Sequence, residues 1–185
     1  MTPHVIGLDV ALTATGIASN RGWVDVVETT GTRKDDYPTR DARIAHAKEQ
    51  ILNLVGRPDL VVIEGPSYQS KGPGTWDRAG LWWLLYTALG ARGVPVAVAS
   101  PASRMRYATG AGQASKGKVI DAVARRWPDF ATEGDDNAAD AVVLCAMGAD
   151  QLGCPLAPVP KTHRLALAKG KGVEWPEAIR LAEVA

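Results

Sequence analysis

Three carboxylate-bearing segments set against apolar runs constrain this chain more than any other feature. Asp9 follows Val5-Ile6-Gly7-Leu8, and Glu64 ends Leu60-Val61-Val62-Ile63. Asp140 closes Asp135-Asp136-Asn137-Ala138-Ala139-Asp140 and precedes Ala141-Val142-Val143-Leu144. A carboxylate in such surroundings is costly unless it is paired or bound to a cation. If the three converge, two like charges ~4 Å apart repel by roughly 4 kcal/mol at an effective dielectric near 20. Acids so placed protonate unless divalent cations sit among them. The pattern calls for a fold that gathers the ends of separate elements. A chemistry that suits it is Mg²⁺-assisted phosphodiester cleavage.

Residues 4–10 read as a buried strand ending at Asp9. Thr15 to Asn20 and Trp23 to Thr30 read as a hairpin, with turn chemistry at Asn20-Arg21-Gly22. A polar loop spans 31–38. Thr39 to Val55 has helical periodicity through Ala42, Ile44, Ala45, Ala47, Ile51, Leu52 and Val55, with Arg43, Lys48 and Glu49 outward and Gly56 ending it. Leu60 to Ile63 is a short central strand ending at Glu64, and 65–74 a Gly/Pro loop. Trp76 to Ala91 reads as an apolar helix, and Val94 to Ala99 as a strand whose Pro95 suggests an edge or first position. Ser100 to Ala114 reads as irregular and basic. Ser115 to Trp127 is an amphipathic helix with Val119, Ile120, Val123 and Ala124 inward. The last firm helix, capped by Asp135 or Asp136, runs to about Ala149.

This order predicts an α/β fold, a mixed sheet of three antiparallel meander strands plus parallel strands, flanked by helices. Asp9 and Glu64 then lie at the carboxyl ends of two strands, where open α/β sheets bind ligands. Asp136 and Asp140, or Asn137 and Asp140, share one helix face that completes the cluster. The domain that carries the three acids spans 1–150. Residues 151–185 read as a tail with Pro155, Pro158 and Pro160, a basic segment at 161–171, and a short helix over Trp175 to Val184 with Pro176 in its first turn.

A chain of 185 residues is most simply one domain with a tail. No apolar run reaches the ~20 residues that span a membrane, so none is expected as a partner. The N-terminus has no signal-peptide layout. Cys145 and Cys154 lack metal-ligand spacing, which fits a reducing cytoplasm, with Cys145 as a buried small hydrophobe. Net charge is only +1, yet seven basic residues between Arg92 and Arg126 face one acid, Asp121. Such a segment is either a solvated face or a nucleic-acid surface. Trp82 and Trp83 read as core or dimer-interface anchors.

Four stretches, in order, resemble the RuvC-type Holliday junction resolvases of the RNase H-like superfamily. They are Gly7-Leu8-Asp9 with Thr15-Gly16, then Val62-Ile63-Glu64, then 109–116 (glycine-rich, ending in Lys116), and Asn137-Ala138-Ala139-Asp140-Ala141. The resemblance covers about residues 5 to 150. It implies a homodimer that cuts four-way DNA junctions with two Mg²⁺ ions per site, Mn²⁺ also suiting oxygen ligands. It maps metal-binding carboxylates onto Asp9, Glu64 and Asp140, with Asp136 and Asn137 rivals for a fourth position. It makes Lys116 a phosphate-contacting catalytic residue. Tyr68, Arg104, Arg106, Lys116 and Lys118 become DNA contacts, although Met105 stands near a second basic position of the family. The Asp135-Asp136-Asn137 opening suits a phage-type member, for which the compartment is the host cytoplasm.

Each assignment has a structural alternative. Asp9 could end a strand, Glu64 join an ion pair, Asp136 cap a helix, and Lys116 be a first-turn surface lysine. Competing functions are a general branched-DNA or RNase H-like nuclease, a non-catalytic DNA-binding module, and an actin-like or sugar-kinase-like ATP-binding fold. The last needs a second phosphate loop and usually a much longer chain.

Overall fold

The computed structural model describes residues 2–32, 34–66, 74–168 and 170–179. Its strands are β1 (Val5–Asp9), β2 (Ala14–Ser19), β3 (Trp23–Glu28), β4 (Leu60–Glu64), β5 (Val96–Ala99) and β6 (Val173–Glu174). Its helices are α1 (Tyr37–Val55), α2 (Thr75–Ala91), α3 (Pro101–Thr109), α4 (Lys116–Arg126), α5 (Asp136–Gln151) and α6 (Lys161–Arg164), the last followed by a 3₁₀ turn at Leu165–Leu167. The sheet order is β3-β2-β1-β4-β5-β6. β1, β4 and β5 run parallel, while β2, β3 and β6 are antiparallel to their neighbours. This is the mixed, helix-flanked sheet that the element order predicts. Among the described residues no helix is long and apolar enough to cross a membrane.

Alternation along the strands splits the core in two. Ile6, Leu8, Val61 and Ile63 pack with Ile51, Leu81 and Leu85 of α1 and α2. Val5, Leu60, Val62, Ala97 and Ala99 pack with α3, α4 and α5 on the other face. Side chains two residues apart share a face. Asp9 and Glu64 therefore project on the α5 side.

α5 is buried almost all round, as its apolar composition requires. It lies unusually close to the sheet. A Cβ on Gly7 would come within 2.1 Å of the Ala141 carbonyl oxygen, and one on Gly16 within 2.0 Å of the Asn137 carbonyl oxygen. A Cβ on Gly148 would sit 2.7 Å from methyls of Val5 and Val62. These glycines admit the helix that carries Asp140.

Several local expectations give way. Ser100–Ala114 is not wholly irregular: Ser100 caps α3, its Oγ accepting from the Ser103 amide, with Pro101 in the first turn. α1 buries Ala47, Ile51, Leu52 and Val55, while Ala42 and Ala45 lie exposed near its start. Arg43 turns back to the β2–β3 end, donating to Thr29 Oγ1 and the Leu12 carbonyl. Ala124 is exposed on α4. β5 is no edge, because β6 of the tail pairs with it. Residues 175–179 form a turn and not the start of a helix. The tail is further held by Asp150 of α5, 1% exposed, which pairs with Arg164 and accepts from the Tyr107 hydroxyl.

Gly16→Val or Gly7→Ala should destabilise the protein by about 1–3 kcal/mol or more through forced overpacking against backbone. Gly117→Ala, where an added Cβ meets nothing within 4 Å, should be neutral to stabilising. Urea denaturation midpoints check the contrast.

Candidate active site

Parallel pairing of β1 with β4, with Leu8 opposite Ile63, sets Asp9 and Glu64 side by side at the strand ends. Trp82 on α2 donates its indole N–H to the Glu64 carbonyl at 2.8 Å, fixing that end from the opposite face. α5 starts at Asp135, whose side chain accepts from the Ala138 amide at 2.8 Å, so Asp135 is the cap and Asp136 the first helical residue. Asp140, one turn on, then faces the strand ends.

The fourth charged group in the cluster is Arg104 of α3. Its Nε donates to Glu64 Oε2 and one terminal nitrogen to Asp140 Oδ1. Only 9% of its side chain is exposed. No donor reaches the Asp9 carboxylate among the described residues. Burial, then the charges of Glu64 and Asp140, push its pKa well up, against the pull of Arg104. Burial likewise raises Asp140 to about 7 despite Arg104, with Glu64 adding to the rise. Glu64 is raised by burial, in part offset by Arg104.

The other expected site residues are distributed around this cluster. Asp136 pairs with Lys116, which opens α4 and is largely exposed. The backbone of Asn137 packs on Gly16, and no side-chain hydrogen bond holds its amide among the described residues. Arg106 lies against Gly112 of the glycine-rich loop. Lys118 is exposed on α4 and borders a surface cleft with Arg125, Arg126 and His163. Arg126 is partly used up locally, donating to the Ala108 carbonyl at 2.8 Å. Tyr68 lies outside the described residues. Arg104, expected on the basic surface, lies inside the acidic cluster. The residues Ser103, Arg104, Tyr107 and Ala108 form the buried face of α3, so helical phase carries that signal once Ser100-Pro101 is read as a helix start.

The donor set consists of hard carboxylate oxygens, which suit Mg²⁺ or Mn²⁺. Asp9, bare and surrounded by like charge, has the chemistry of a cation ligand. As arranged, with Arg104 between Glu64 and Asp140, no three acidic or histidine groups close on one ion position among the described residues.

The fold is similar to that of RuvC proteins of known structure. No protein-family model matches the chain. It is 28% identical over 188 residues to the crossover junction endodeoxyribonuclease RuvC of Paenarthrobacter aurescens (strain TC1), covering 92% of this chain and 98% of that one. Its structure is similar to that of Thermus thermophilus RuvC, with a TM-score of 0.59 and 18% identity over 85% of this chain and 99% of that one. The T. thermophilus RuvC in complex with Holliday junction substrate gives a TM-score of 0.60, with 20% identity and the same coverage. The resemblance read from the four motifs thus holds for nearly the whole chain, in sequence and in fold.

Carboxyls whose folded pKa lies above the unfolded value bind protons better in the folded state, so stability falls as pH rises between the two values. For Asp140 that window runs from about 3.8 to about 7, and Asp9 and Glu64 act with the same sign. The metal-free protein should therefore melt at a lower temperature at pH 8 than at pH 5. Asp140→Asn should flatten this fall in a calorimetric series.

Proposed function

We propose that this chain is a divalent-metal-dependent endonuclease that cuts four-way DNA junctions. One observation carries the reading: Asp9, Glu64 and Asp140 converge at the carboxyl ends of adjacent parallel strands, in a fold shared with RuvC. The curated relative is a crossover junction endodeoxyribonuclease, and one structural relative is seen with a Holliday junction substrate.

Asp9, Glu64 and Asp140 would hold the divalent cations. Asp136 or Asn137 would add a ligand at the Asp140 side. Two Mg²⁺ ions, or Mn²⁺, supply Lewis-acid stabilisation and a water of lowered pKa when bound. Lys116, exposed beside Asp136, would neutralise charge growing on the scissile phosphate. Arg106 and Lys118 flank the glycine-rich loop and would hold backbone phosphates of the arms. Tyr68, in the segment after Glu64, is proposed as a base-stacking residue on family resemblance alone.

Symmetric cutting of two opposed strands needs two sites related by a twofold axis. The outer face of α2 offers a surface for a second copy. Trp76 (87%), Trp83 (60%), Leu84 (44%) and Tyr86 (36%) are exposed there. Apolar exposure of this kind marks interaction surfaces.

Asp9→Asn and Glu64→Gln should each abolish Mg²⁺-dependent cleavage while leaving junction binding largely intact. Four substrates decide the class: a synthetic four-way junction, a linear duplex, a fork and an RNA–DNA hybrid. Paired symmetric nicks on the junction alone are expected. Equal cutting of forks makes the enzyme a general branch nuclease, and full activity of either mutant rejects the site.

Trp83→Glu should shift the protein from dimer to monomer by light scattering on a sizing column. It should also convert paired nicks to single ones. An unchanged mass would remove α2 as the interface.

A further inference from the structure

Arg104 takes one oxygen of Glu64 and one of Asp140, and both residues are proposed cation ligands. At those two oxygens, N–H donation and coordination to a metal compete for lone pairs, and the guanidinium charge opposes a second cation held by both acids. A guanidinium stays charged throughout the working pH range, so deprotonation cannot clear the site. Its backbone is fixed as well. The Ser100 amide donates to the Gly172 carbonyl at 2.7 Å, and Ser103 Oγ donates to the Lys171 carbonyl at 2.5 Å. A Cβ on Gly172 would come within 2.6 Å of both serine hydroxyls, so the tail lies flat on the first turn of α3. Only the side chain of Arg104 is free to leave.

We propose that Arg104 is a positioning residue that acts as an internal counter-cation. It holds Glu64 and Asp140 together in the metal-free protein, and it must release their facing oxygens before a divalent ion is held by both. The inference rests on reading the cluster as a metal-dependent nuclease site. It goes beyond that reading by making metal affinity depend on an arginine that is not a ligand. Among the described residues, Glu64, Asp140 and Asp9 are the acids that act on Arg104, and Asp136 acts on Asp140. Lys116 is engaged by Asp136 instead. Arg104 is thus the cation that metal has to displace from Glu64 and Asp140.

A state favoured tenfold over the metal-accepting one raises the apparent Kd by the same factor. The test is Mn²⁺ binding to the full chain by isothermal calorimetry, without DNA, for wild type, R104Q and R104K. R104Q should bind Mn²⁺ at least tenfold more tightly than wild type. Its metal-free melting temperature should be lower, and its gain on adding Mn²⁺ larger. R104K keeps the charge but loses the two-armed fork, so its affinity should fall between the two, and it serves if R104Q does not fold. Unchanged or weaker Mn²⁺ binding by both variants overturns the proposal, as expected if the arginine merely supports the ligands. Junction cleavage by wild type in Mg²⁺ is measured alongside. Tighter Mn²⁺ binding by R104Q with no wild-type cleavage leaves the arginine assignment standing and rejects the nuclease reading. Wild-type cleavage without tighter binding by the variants rejects only the arginine assignment.

Discussion

The close seating of α5 on β1 and β2 is the constraint on which the rest of this structure depends. Backbone meets backbone where Gly7 faces Ala141 and Cys145, and where Gly16 faces Asn137. Small residues at helical spacing, Ala141, Cys145 and Gly148, continue the contact along the sheet. Close packing of this kind transmits small volume changes, since interiors have few voids to absorb them. It decides where Asp140 sits relative to Asp9. A helix held one methyl further out would carry the third carboxylate away from the strand ends. The two glycines are thus part of the site although neither bears a functional group.

That geometry creates an electrostatic problem which the fold answers in two places. Three buried or half-buried acids push one another toward protonation, Asp9 most of all. Arg104 answers at Glu64 and Asp140, and Lys116 answers at the rim through Asp136. An arginine suits the inner position because its planar fork reaches two carboxylates at once, which an ammonium does less well. Among the described residues the arrangement leaves Asp9 without a hydrogen-bond or ion-pair partner. An ion pair taken out of water rarely gains much net stability. The strength of this cluster therefore lies in holding the carboxylates at short range, not in stabilising the fold.

Much of this was legible in the residues. Continuous apolar runs that stop at an acid locate Asp9 and Glu64 at strand ends, and parallel neighbours make them adjacent. The Asp135 cap and the i, i+4 spacing of Asp136 and Asp140 place the third acid. α3 was hidden because its basic composition and the following Gly110 and Gly112 resemble a loop. The Ser100-Pro101 start was the available clue. Without the helix, Arg104 has no phase, and charge alone suggests a surface contact. β6 was not legible at all. Two residues, Val173 and Glu174, carry no pattern, and they pair along the side of β5 that β4 leaves unpaired. The ion pair of Asp150 with Arg164 likewise joins residues whose proximity only the fold creates.

The tail and α2 bear on the cluster from opposite faces of the sheet, which makes its position a property of the whole molecule. On one side, the tail clamps the first turn of α3 and so the backbone of Arg104. On the other, the Trp82 indole holds the Glu64 carbonyl while stacking on Tyr86 at 5.2 Å. Trp83 packs edge-on against Trp82 at 4.9 Å and turns outward. A second copy seated on Trp83 would thus press on the same aromatic group that anchors the strand end. In the proposed dimer, the two active sites would be tied to their common interface by one indole each. Their separation would be set by packing within the protein, before any DNA is bound.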